Sequence, residues 1–372
     1  MGFFHLYQTT SNSSSSSVVA VVYSVSIGIG IGAVGLTIFY LQKKVKDSWK
    51  YVGTVDRISI YPIKGLKGFQ VGGQSPSGDP ETDTACTDVM ITPAGLKCGD
   101  LYDRCFVLGS NSNKRGKFEF VTMRSIPKLV LIDVTPTDES FSSVTLSAPD
   151  MDDIVVHFPK HTNEKVDLEL YSSPSVGIKC EESVNRWFQS YLQREDVYLV
   201  CAMDNTKESV CTRDPSKDPK IGKYSPPDMR VIYSDSTPVM LTTTASHDDI
   251  NSKLRLKNRP QMSIDSWKAN LIVKTENESL AFSEDVWGQV ALGDEVTLER
   301  VRPCHRCAVV KVDPKTGTHR KDEEPLRTLR TYRMIPAFNS PIFGSLLHVS
   351  TPGRVWVGMS VYAVEEKFRA MD

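Results

Sequence analysis

Short apolar segments that alternate with polar residues recur throughout this chain of 372 residues, and they constrain its fold more than any other feature. A period of two predicts β-strands, and turn-forming residues separate the segments. We predict strands over residues 52–62, 105–108, 118–122, 129–134, 144–147, 154–158, 239–241, 270–273, 296–300, 307–312 and 355–357. Helical spacing of apolar residues occurs over 182–194, and 248–256 is the second predicted helix. Many short strands with few helices favour a β-rich, barrel-like α+β fold over alternating βαβ units.

Three segments between these elements predict turns and loops. Residues 63–68 combine two glycines with Lys64 and Lys67, as a glycine-rich turn would. Residues 73–88 and 205–228 are polar and contain prolines, and we predict loops there.

An uncharged segment covers residues 18–41 near the N-terminus. As a helix it would span roughly 36 Å, enough to cross a bilayer core of about 30 Å. Lys43, Lys44 and Lys46 follow it, and residues 1–17 contain no Lys or Arg, so the positive-inside rule places the C-terminal side in the cytosol. A cleaved signal peptide is the alternative, but it usually has a charged first region and a shorter apolar core. The outer mitochondrial membrane and the endoplasmic reticulum both remain open as its location.

Charge and cysteine content exclude two classes of protein. The formal net charge is -1, and no basic stripe suggests nucleic acid as a partner. Eight cysteines are too few for a disulfide scaffold in a chain of this length. We therefore expect free thiols and a reducing compartment.

The chemistry of the chain concentrates in the run Arg302-Pro303-Cys304-His305-Arg306-Cys307. Thiolates bind soft or high-valent transition metals, and thiolates beside fixed positive charge are the more reactive kind. The apolar residues that follow predict a buried strand, so the motif should lie where a strand meets a loop. A zinc site of Cys304 and Cys307 would need four ligands, and the sequence offers no second close pair. Cys307 as a small buried residue is the plain alternative.

An ordered set of further motifs accompanies this run. They are 52–67, Asp103-Arg104, Thr122-Met123-Arg124 with Pro127, 234–238, Asn270 before an apolar run, 312–317, and 324–326 through Tyr332-Arg333. Together they resemble the MOSC-domain family, and within it the mitochondrial amidoxime-reducing components. The resemblance covers residues 51–365 and the N-terminal anchor.

The resemblance implies a specific organisation and cofactor. Residues 1–50 would be a polar lead-in and membrane anchor, 51–180 a MOSC N-terminal β-barrel-like region, and 181–372 the MOSC domain. A molybdenum cofactor, a pterin with a phosphate tail, would lie between them. Cys307 would be the molybdenum ligand and catalytic residue. The remaining implied cofactor contacts are Lys64, Gly65, Arg104, Ser236, Thr237, Lys268, His305 and Arg306.

This chain departs from the family pattern at several of these positions. Gly65 replaces a usual serine, which leaves only a backbone contact. Lys268-Ala269-Asn270 replaces Arg-Pro-Asn, so a bidentate fork becomes a point charge. Leu346 stands where an aromatic residue is common. For His305, contact through the backbone and contact through the ring remain open. For Asp235, proton relay and capping of the next residues remain open.

The implied activity is the reduction of N-hydroxylated compounds (amidoximes, hydroxylamines and N-oxides). No dinucleotide-binding glycine motif or haem-attachment motif is present in the sequence. The resemblance implies a b-type cytochrome and an NADH-dependent flavin reductase as electron partners. The alternative is a non-catalytic carrier of the cofactor or a sulfur-transfer module, the role through which the family is associated with pyridoxal phosphate binding.

Overall fold

We analysed a computed structural model of the chain, which describes residues 48–71, 89–110, 118–159, 163–170, 173–202, 211–212, 226, 229–336 and 338–366. The predicted anchor at 18–41 and the predicted loop at 73–88 lie outside these residues. Most of the predicted loop at 205–228 lies outside them as well. No helix among the described residues has the length and apolar character needed to cross a membrane. Residues from Trp49 onward form one compact unit, and the proposed boundary between residues 180 and 181 stays a prediction.

The described residues are mostly β-structure. The strands in chain order are β1 Lys50–Ile60, β2 Ile63–Lys64, β3 Phe69–Val71, β4 Val89–Thr92, β5 Gly95–Cys98, β6 Leu101–Tyr102, β7 Phe106–Ser110, β8 Glu119–Phe120, β9 Asp133–Pro136, β10 Ser143–Ser147, β11 Ile154–His157, β12 Lys165–Leu170, β13 Ser173–Lys179, β14 Val197–Ala202, β15 Cys211–Thr212, β16 Arg230–Val231, β17 Val239–Thr243, β18 Leu271–Thr275, β19 Trp287–Leu292, β20 Val296–His305, β21 Ile342–Thr351, β22 Gly353–Val355 and β23 Ser360–Glu365. The α-helices are α1 Glu182–Leu192, α2 Thr244–Leu256 and α3 Leu326–Leu329, and short 3₁₀ helices include Pro127–Leu131, Ile264–Trp267, Ser283–Asp285 and Ala308–Lys311.

The main sheet closes on itself. Its order is β18-β17-β21-β20-β19-β23-β1, and β1 pairs back to β18, which makes a closed seven-stranded barrel. Closure pairs every strand on both sides, which removes free sheet edges. At Gly53 in β1, φ is +146°, and a Cβ there would lie 2.1 Å from the carbonyl oxygen of Lys274 on β18. This close approach of the two strands therefore requires glycine.

Only β17 and β18 run parallel within the barrel, and helix α2 makes the connection between them. Parallel neighbours need a long crossover, usually a helix. Thr243 begins the helix, because its side chain accepts a hydrogen bond from the backbone N–H of Ser246. Ile250 and Leu254 then pack with Trp267 and Phe343, whose rings stack at 3.7 Å.

A second sheet lies directly after the first barrel strand in sequence. Its order is β12-β13-β14-β7-β2, with β8 paired to β7. β1 ends at Ile60, and Tyr61 and Pro62 lead into β2, which runs parallel to β7. Smaller sheets have the orders β11-β10-β9 and β22-β4-β5-β6, and β15 pairs with β16. Tyr61 thus stands at the junction of the barrel and the second sheet.

Several predictions are confirmed and others are wrong. α1 matches the predicted helix at 182–194, and it ends because Gln193 adopts the left-handed conformation. The predicted strand at 129–134 is instead a 3₁₀ helix beginning at Pro127, followed by β9. The predicted strand at 307–312 is also wrong, because Ala308–Lys311 is a 3₁₀ helix. A short buried apolar run is compatible with either structure, so periodicity could not separate them.

The expectation of free thiols is confirmed only in part. Cys105, Cys180 and Cys201 are free and buried, and Cys304 and Cys307 are free and partly exposed. Cys98, in contrast, is disulfide-bonded. Cysteine spacing in the sequence does not reveal which thiols the folded chain brings together.

Candidate functional site

The Arg302–Cys307 motif lies at the end of β20. β20 includes Arg302 to His305, and no strand directly follows Cys307, which corrects the expected order. Pairing with β21 shifts register between Arg300 and Arg302 and again between Pro303 and His305. Such irregularities redirect side chains locally. Cys307 then has extended backbone and begins the 3₁₀ helix Ala308–Lys311, so its thiol lies between two regular elements.

Arg302 organises the buried side of the motif. It is 1% exposed. One terminal nitrogen lies 2.7 Å from Nδ1 of His305, and the other donates to the hydroxyl of Ser236 at 2.9 Å. The His305 ring stacks on Phe338, with 5.4 Å between centroids. Arg302 therefore joins the motif to the segment before β17.

Arg306 extends toward the turn before β18. It donates to the carbonyl oxygen of Trp267 at 2.7 Å and to the sulfur of Cys304 at 3.0 Å. Its guanidinium lies 5.5 Å from the Trp267 ring. Nε of Arg306 is buried and makes no hydrogen bond in the part of the chain that is described. The described contacts of this buried cation are all to neutral groups.

Arg104 and Lys268 share one aromatic ring. Their cationic groups lie 4.7 Å and 5.3 Å from the centroid of Tyr61. Arg104 pairs with the carboxylate of Asp103, and it donates to the side-chain oxygen of Asn270 and the backbone oxygen of Lys268, both at 3.2 Å. Its φ is 55°, in the left-handed region. This strained position directs a half-buried guanidinium toward the turn that contains Lys268.

Lys268 also has a left-handed backbone, with φ of 55°. Its Nζ donates to the backbone oxygen of Leu66 at 2.9 Å. Burial, followed by the nearby charge of Arg104, lowers the pKa of Lys268 to about 8. Loss of hydration is the main cause of this shift, and the positive potential from Arg104 adds to it.

Lys64 and Gly65 directly precede Leu66, whose backbone oxygen accepts the hydrogen bond from Lys268. Nζ of Lys64 lies 2.5 Å from the carboxylate of Asp235 and donates to the backbone oxygen of Tyr233 at 2.8 Å. Gly65 has φ of +91°, and a Cβ there would meet nothing closer than 4.0 Å. The space would admit a serine, but the backbone conformation favours glycine.

Ser236 and Thr237 are both buried. The Ser236 hydroxyl accepts from Arg302, whereas the Thr237 hydroxyl donates to the backbone oxygen of Val239 at 3.0 Å. Ser236 is therefore part of the charged network, and Thr237 holds the entry to β17.

The predicted contact residues thus form one connected set. The cationic cluster comprises Lys64, Arg104, Lys268, Arg302, His305 and Arg306. Arg104 and Arg306 bind the consecutive carbonyl oxygens of Lys268 and Trp267. Lys268 reaches the turn after Lys64, and Lys64 reaches Asp235, the neighbour of Ser236. An arrangement of several cations, of which Arg302 and Arg306 are buried, with few carboxylates suits an anionic ligand.

His305 reports the same positive potential. Desolvation and the charges of Arg302, Arg306 and Arg124 lower its pKa to about 4, while Asp235 opposes them. His305 is exposed, so solvent weakens the desolvation, but the three guanidinium groups all act in one direction. His305 is therefore neutral at physiological pH.

Sequence reasoning missed the aromatic supports. Tyr61 under two cations and Phe338 beneath His305 carried no signal in the sequence beyond their residue type.

Lys67 pairs with the exposed Asp133 at 2.7 Å. Leu346 is buried and packs with Met240, Ala269 and Cys304 beside the motif. The departure at Leu346 therefore affects the apolar wall next to the cationic cluster.

Metal ligands are sparse in this region. Among the described residues, no group of three or more His, Cys, Asp or Glu is placed to hold a metal ion. A metal on Cys307 would thus take most of its ligands from a cofactor.

Comparison with known proteins places these features in context. Residues 52–195 match the MOSC N-terminal beta barrel domain, and residues 228–362 match the MOSC domain. The chain is 31% identical to mitochondrial amidoxime reducing component 2 of Rattus norvegicus, covering 84% of this chain and 83% of the relative. It is 30% identical to mitochondrial amidoxime-reducing component 1 of Danio rerio, over 89% and 90%. For component 1 of Homo sapiens the identity is 30%, over 84% and 83%.

Among solved structures, a Bordetella bronchiseptica protein in solution matches 26% of this chain and 71% of its own, with 11% identity and a TM-score of 0.21. This likeness is too slight to carry an argument.

Proposed function

The chain belongs to the MOSC-domain family and groups with its mitochondrial amidoxime-reducing components, and from this premise we propose that it is a molybdenum-cofactor oxidoreductase that reduces N-hydroxylated compounds. The observation that carries the proposal is the cationic cluster beside Cys307. Its residues come from distant parts of the chain and converge on one region, with positive charge in excess.

The donor set fits an anionic cofactor. Arg104, Lys268 and Lys64 surround the turn after β2, and they would hold the phosphate tail through charge-assisted hydrogen bonds. Arg306 keeps a buried Nε without a described partner, so it has donor capacity for the pterin. Burial and then the charge of Arg104 lower the pKa of Lys268, and a bound anion would offset both because it favours the protonated amine.

Cys307 is the proposed metal ligand. Its thiol is free and partly exposed at the start of a short helix. A thiolate is a suitable ligand for a soft or high-valent metal. Arg306 directly precedes it in the chain and is fixed by Trp267. The chain would thereby fix the position of the Arg306 guanidinium relative to the Cys307 thiolate.

The remaining chemistry divides between cofactor and chain. When bound, the cofactor supplies a two-electron redox centre and a metal position open to the substrate oxygen. The residues of the chain bind and orient: Arg104 and Lys268 anchor the anionic end, and Arg302 fixes the His305 ring. Met240, Ala269 and Leu346 provide an apolar wall that limits water on one side.

Electron supply and location are part of the same proposal. We propose that electrons come from NADH through a flavin reductase and a b-type cytochrome. The relatives are named mitochondrial, which supports a mitochondrial location, and residues 18–41 would anchor the protein in the outer membrane with the catalytic part facing the cytosol. A shared membrane would raise the effective concentration of the partners.

The test is metal and pterin analysis of the full-length protein purified after expression in cells that make the cofactor. We expect molybdenum and pterin in equal amounts, near one per chain, and reduction of an amidoxime when the electron partners are added. Cys307→Ser should lose molybdenum and activity. Cys304→Ser is the matched control, and it should keep most of both.

Two outcomes would contradict the proposal. Zinc or no metal in the purified protein would exclude the cofactor class. Bound molybdenum and pterin without amidoxime reduction, under conditions in which a related enzyme is active, would favour a carrier of the cofactor instead.

A further inference from the structure

The ring of His305 has a defined hydrogen-bond partner on one nitrogen only. Nδ1 lies 2.7 Å from a terminal nitrogen of Arg302. A guanidinium can only donate hydrogen bonds, so Nδ1 must accept. In a neutral imidazole the hydrogen is then on Nε2. Arg302 therefore selects one tautomer of His305.

Two further contacts fix the ring in this orientation. Phe338 stacks on it with an interplanar angle of 24°, and the guanidinium of Arg302 lies 5.6 Å from the centroid of the same phenyl ring. Ser236 holds the other end of the guanidinium at 2.9 Å. Since Arg302 is 1% exposed, packing fixes its position. This in turn fixes the orientation of the His305 ring.

Nε2 is on the opposite side of the ring from this buried support. His305 is exposed, and Nε2 makes no hydrogen bond with the residues that the structure describes. The charged groups that act on the ring are Arg302, Arg306 and Arg124, opposed by Asp235. Because Nδ1 accepts from Arg302, the ring carries its hydrogen on Nε2, which leaves Nε2–H as a neutral donor.

We propose that His305 presents Nε2–H to an oxygen acceptor bound at the exposed rim of the cationic cluster, and that Arg302 is the positioning residue that fixes this tautomer. The identity of the acceptor rests on the proposed function. It would be a phosphate oxygen of the cofactor or the N–O oxygen of the substrate, and both need a neutral or cationic donor. The tautomer itself depends on the protein alone.

The first test measures the tautomer in the purified full-length protein, labelled with ¹⁵N-histidine. Loss of one signal in His305→Asn assigns the ring. We expect the Nε2–H form between about pH 6 and about pH 8, with a nonprotonated Nδ1. An Nδ1–H form, an equal mixture of tautomers or a protonated ring in this range would overturn the proposal. None of these results depends on molybdenum, so failure here is distinct from failure of the proposed function.

Variants of the support separate positioning from general structure. Arg302→Lys should give a mixture of the two His305 tautomers, but a substitution at this buried position could also unfold the protein. Ser236→Ala removes only the second anchor of Arg302 and should loosen the tautomer partially in a folded protein. Arg124→Gln is the matched control, because it removes a charge that acts on His305 without the hydrogen bond to Nδ1. It should leave the tautomer unchanged. An unchanged tautomer in both Arg302→Lys and Ser236→Ala would show that Arg302 does not fix the tautomer of His305.

The second test identifies the acceptor. Inorganic phosphate added to cofactor-free protein should shift the Nε2–H signal if the acceptor is the phosphate. An amidoxime added to the cofactor-loaded protein should shift it if the acceptor is the substrate. The relevant affinity should fall about 3- to 10-fold in His305→Leu and recover in His305→Gln, as expected for one neutral hydrogen bond. If neither ligand moves the signal, His305 is not a donor to either.

Discussion

Two clusters of charged side chains among the described residues have opposite character. The cationic cluster gathers guanidinium and ammonium groups near Cys307. The acidic cluster centres on Glu284 and Asp285, in a short 3₁₀ helix before β19. Glu284 accepts hydrogen bonds from the hydroxyls of Thr242, Thr243 and Ser246 at 3.2, 3.3 and 2.8 Å. Asp285 pairs with Arg333 at 2.6 Å.

The difference lies in how each cluster is neutralised. The hydroxyls around Glu284 come from the end of β17 and the start of α2, so the protein supplies its own partners for the acid. In the cationic cluster, the described contacts of Arg306 are to neutral groups, and the guanidinium and ammonium groups outnumber the carboxylates Asp103 and Asp235. Burying a charged group costs free energy whether its charge is positive or negative. The acidic cluster therefore draws its partners from the fold, whereas the cationic cluster keeps an excess of positive charge that suits an anionic ligand.

The largest expected effect on stability comes from Glu284→Ala. Several buried hydroxyls would lose their acceptor and a cavity would remain, so the free energy of unfolding should fall by about 3 kcal/mol. Sulfate binding to the cationic cluster should not change. Denaturant unfolding and sulfate titration measure the two quantities. A loss of sulfate affinity with unchanged stability would reverse the roles assigned to the two clusters.

The acidic cluster should also produce a pH dependence of stability. Burial, followed by the charge of Asp285, raises the pKa of Glu284 from 4.5 to about 7. Because the folded state holds the proton more tightly, the contribution is complete below the unfolded pKa and is lost as pH rises through about 7. We expect a loss on the order of 3 kcal/mol over this window. Glu284→Gln cannot titrate, and its stability should vary less with pH; an identical profile would contradict the assignment.

Removing one cation should weaken anion binding by the cationic cluster without destabilising the fold. Lys268→Met keeps the side-chain length and removes the charge. Sulfate affinity should fall about tenfold, equivalent to about 1.4 kcal/mol. Relief from burying a charge should offset the lost hydrogen bond to Leu66, so the free energy of unfolding should change by less than about 1 kcal/mol. Lys67→Met is the control, since its exposed pair with Asp133 should contribute little. Equal losses of sulfate affinity in the two variants would argue against a specific site.

A smaller effect is the pH dependence of anion binding. Lys268 binds an anion in its protonated form, and its pKa is lowered to about 8. Sulfate affinity should therefore decline by a few-fold as pH rises through about 8, a range in which sulfate itself keeps its charge. Lys268→Arg should abolish this decline, because arginine stays protonated. A decline that persists in Lys268→Arg would assign the titration to another group.

The sequence predicted these clusters unevenly. The residue types of the cationic cluster stood out, and the β-rich class and helix α1 followed from periodicity. Closure of the barrel by β1 and β18 did not, because it joins segments more than 200 residues apart and local patterns carry no record of such pairing. The short 3₁₀ helix after Cys307 was also missed, since a buried apolar run is equally compatible with a strand.

The acidic cluster was invisible in the sequence for a related reason. Glu284 and Asp285 look like ordinary surface acids, and only the folded chain surrounds them with hydroxyls and Arg333. Tyr61 and Phe338 gave no signal as supports, because a cation over a ring depends on where the backbone places both groups.

The most direct test of the account is X-ray absorption at the molybdenum edge, on the full-length protein purified with its cofactor. For the wild type we predict sulfur scattering from the pterin and from one further thiolate. Cys304→Ser should leave that spectrum unchanged, while any metal retained by Cys307→Ser should lack the extra sulfur. Identical metal–sulfur scattering in the wild type and a molybdenum-loaded Cys307→Ser would contradict the account.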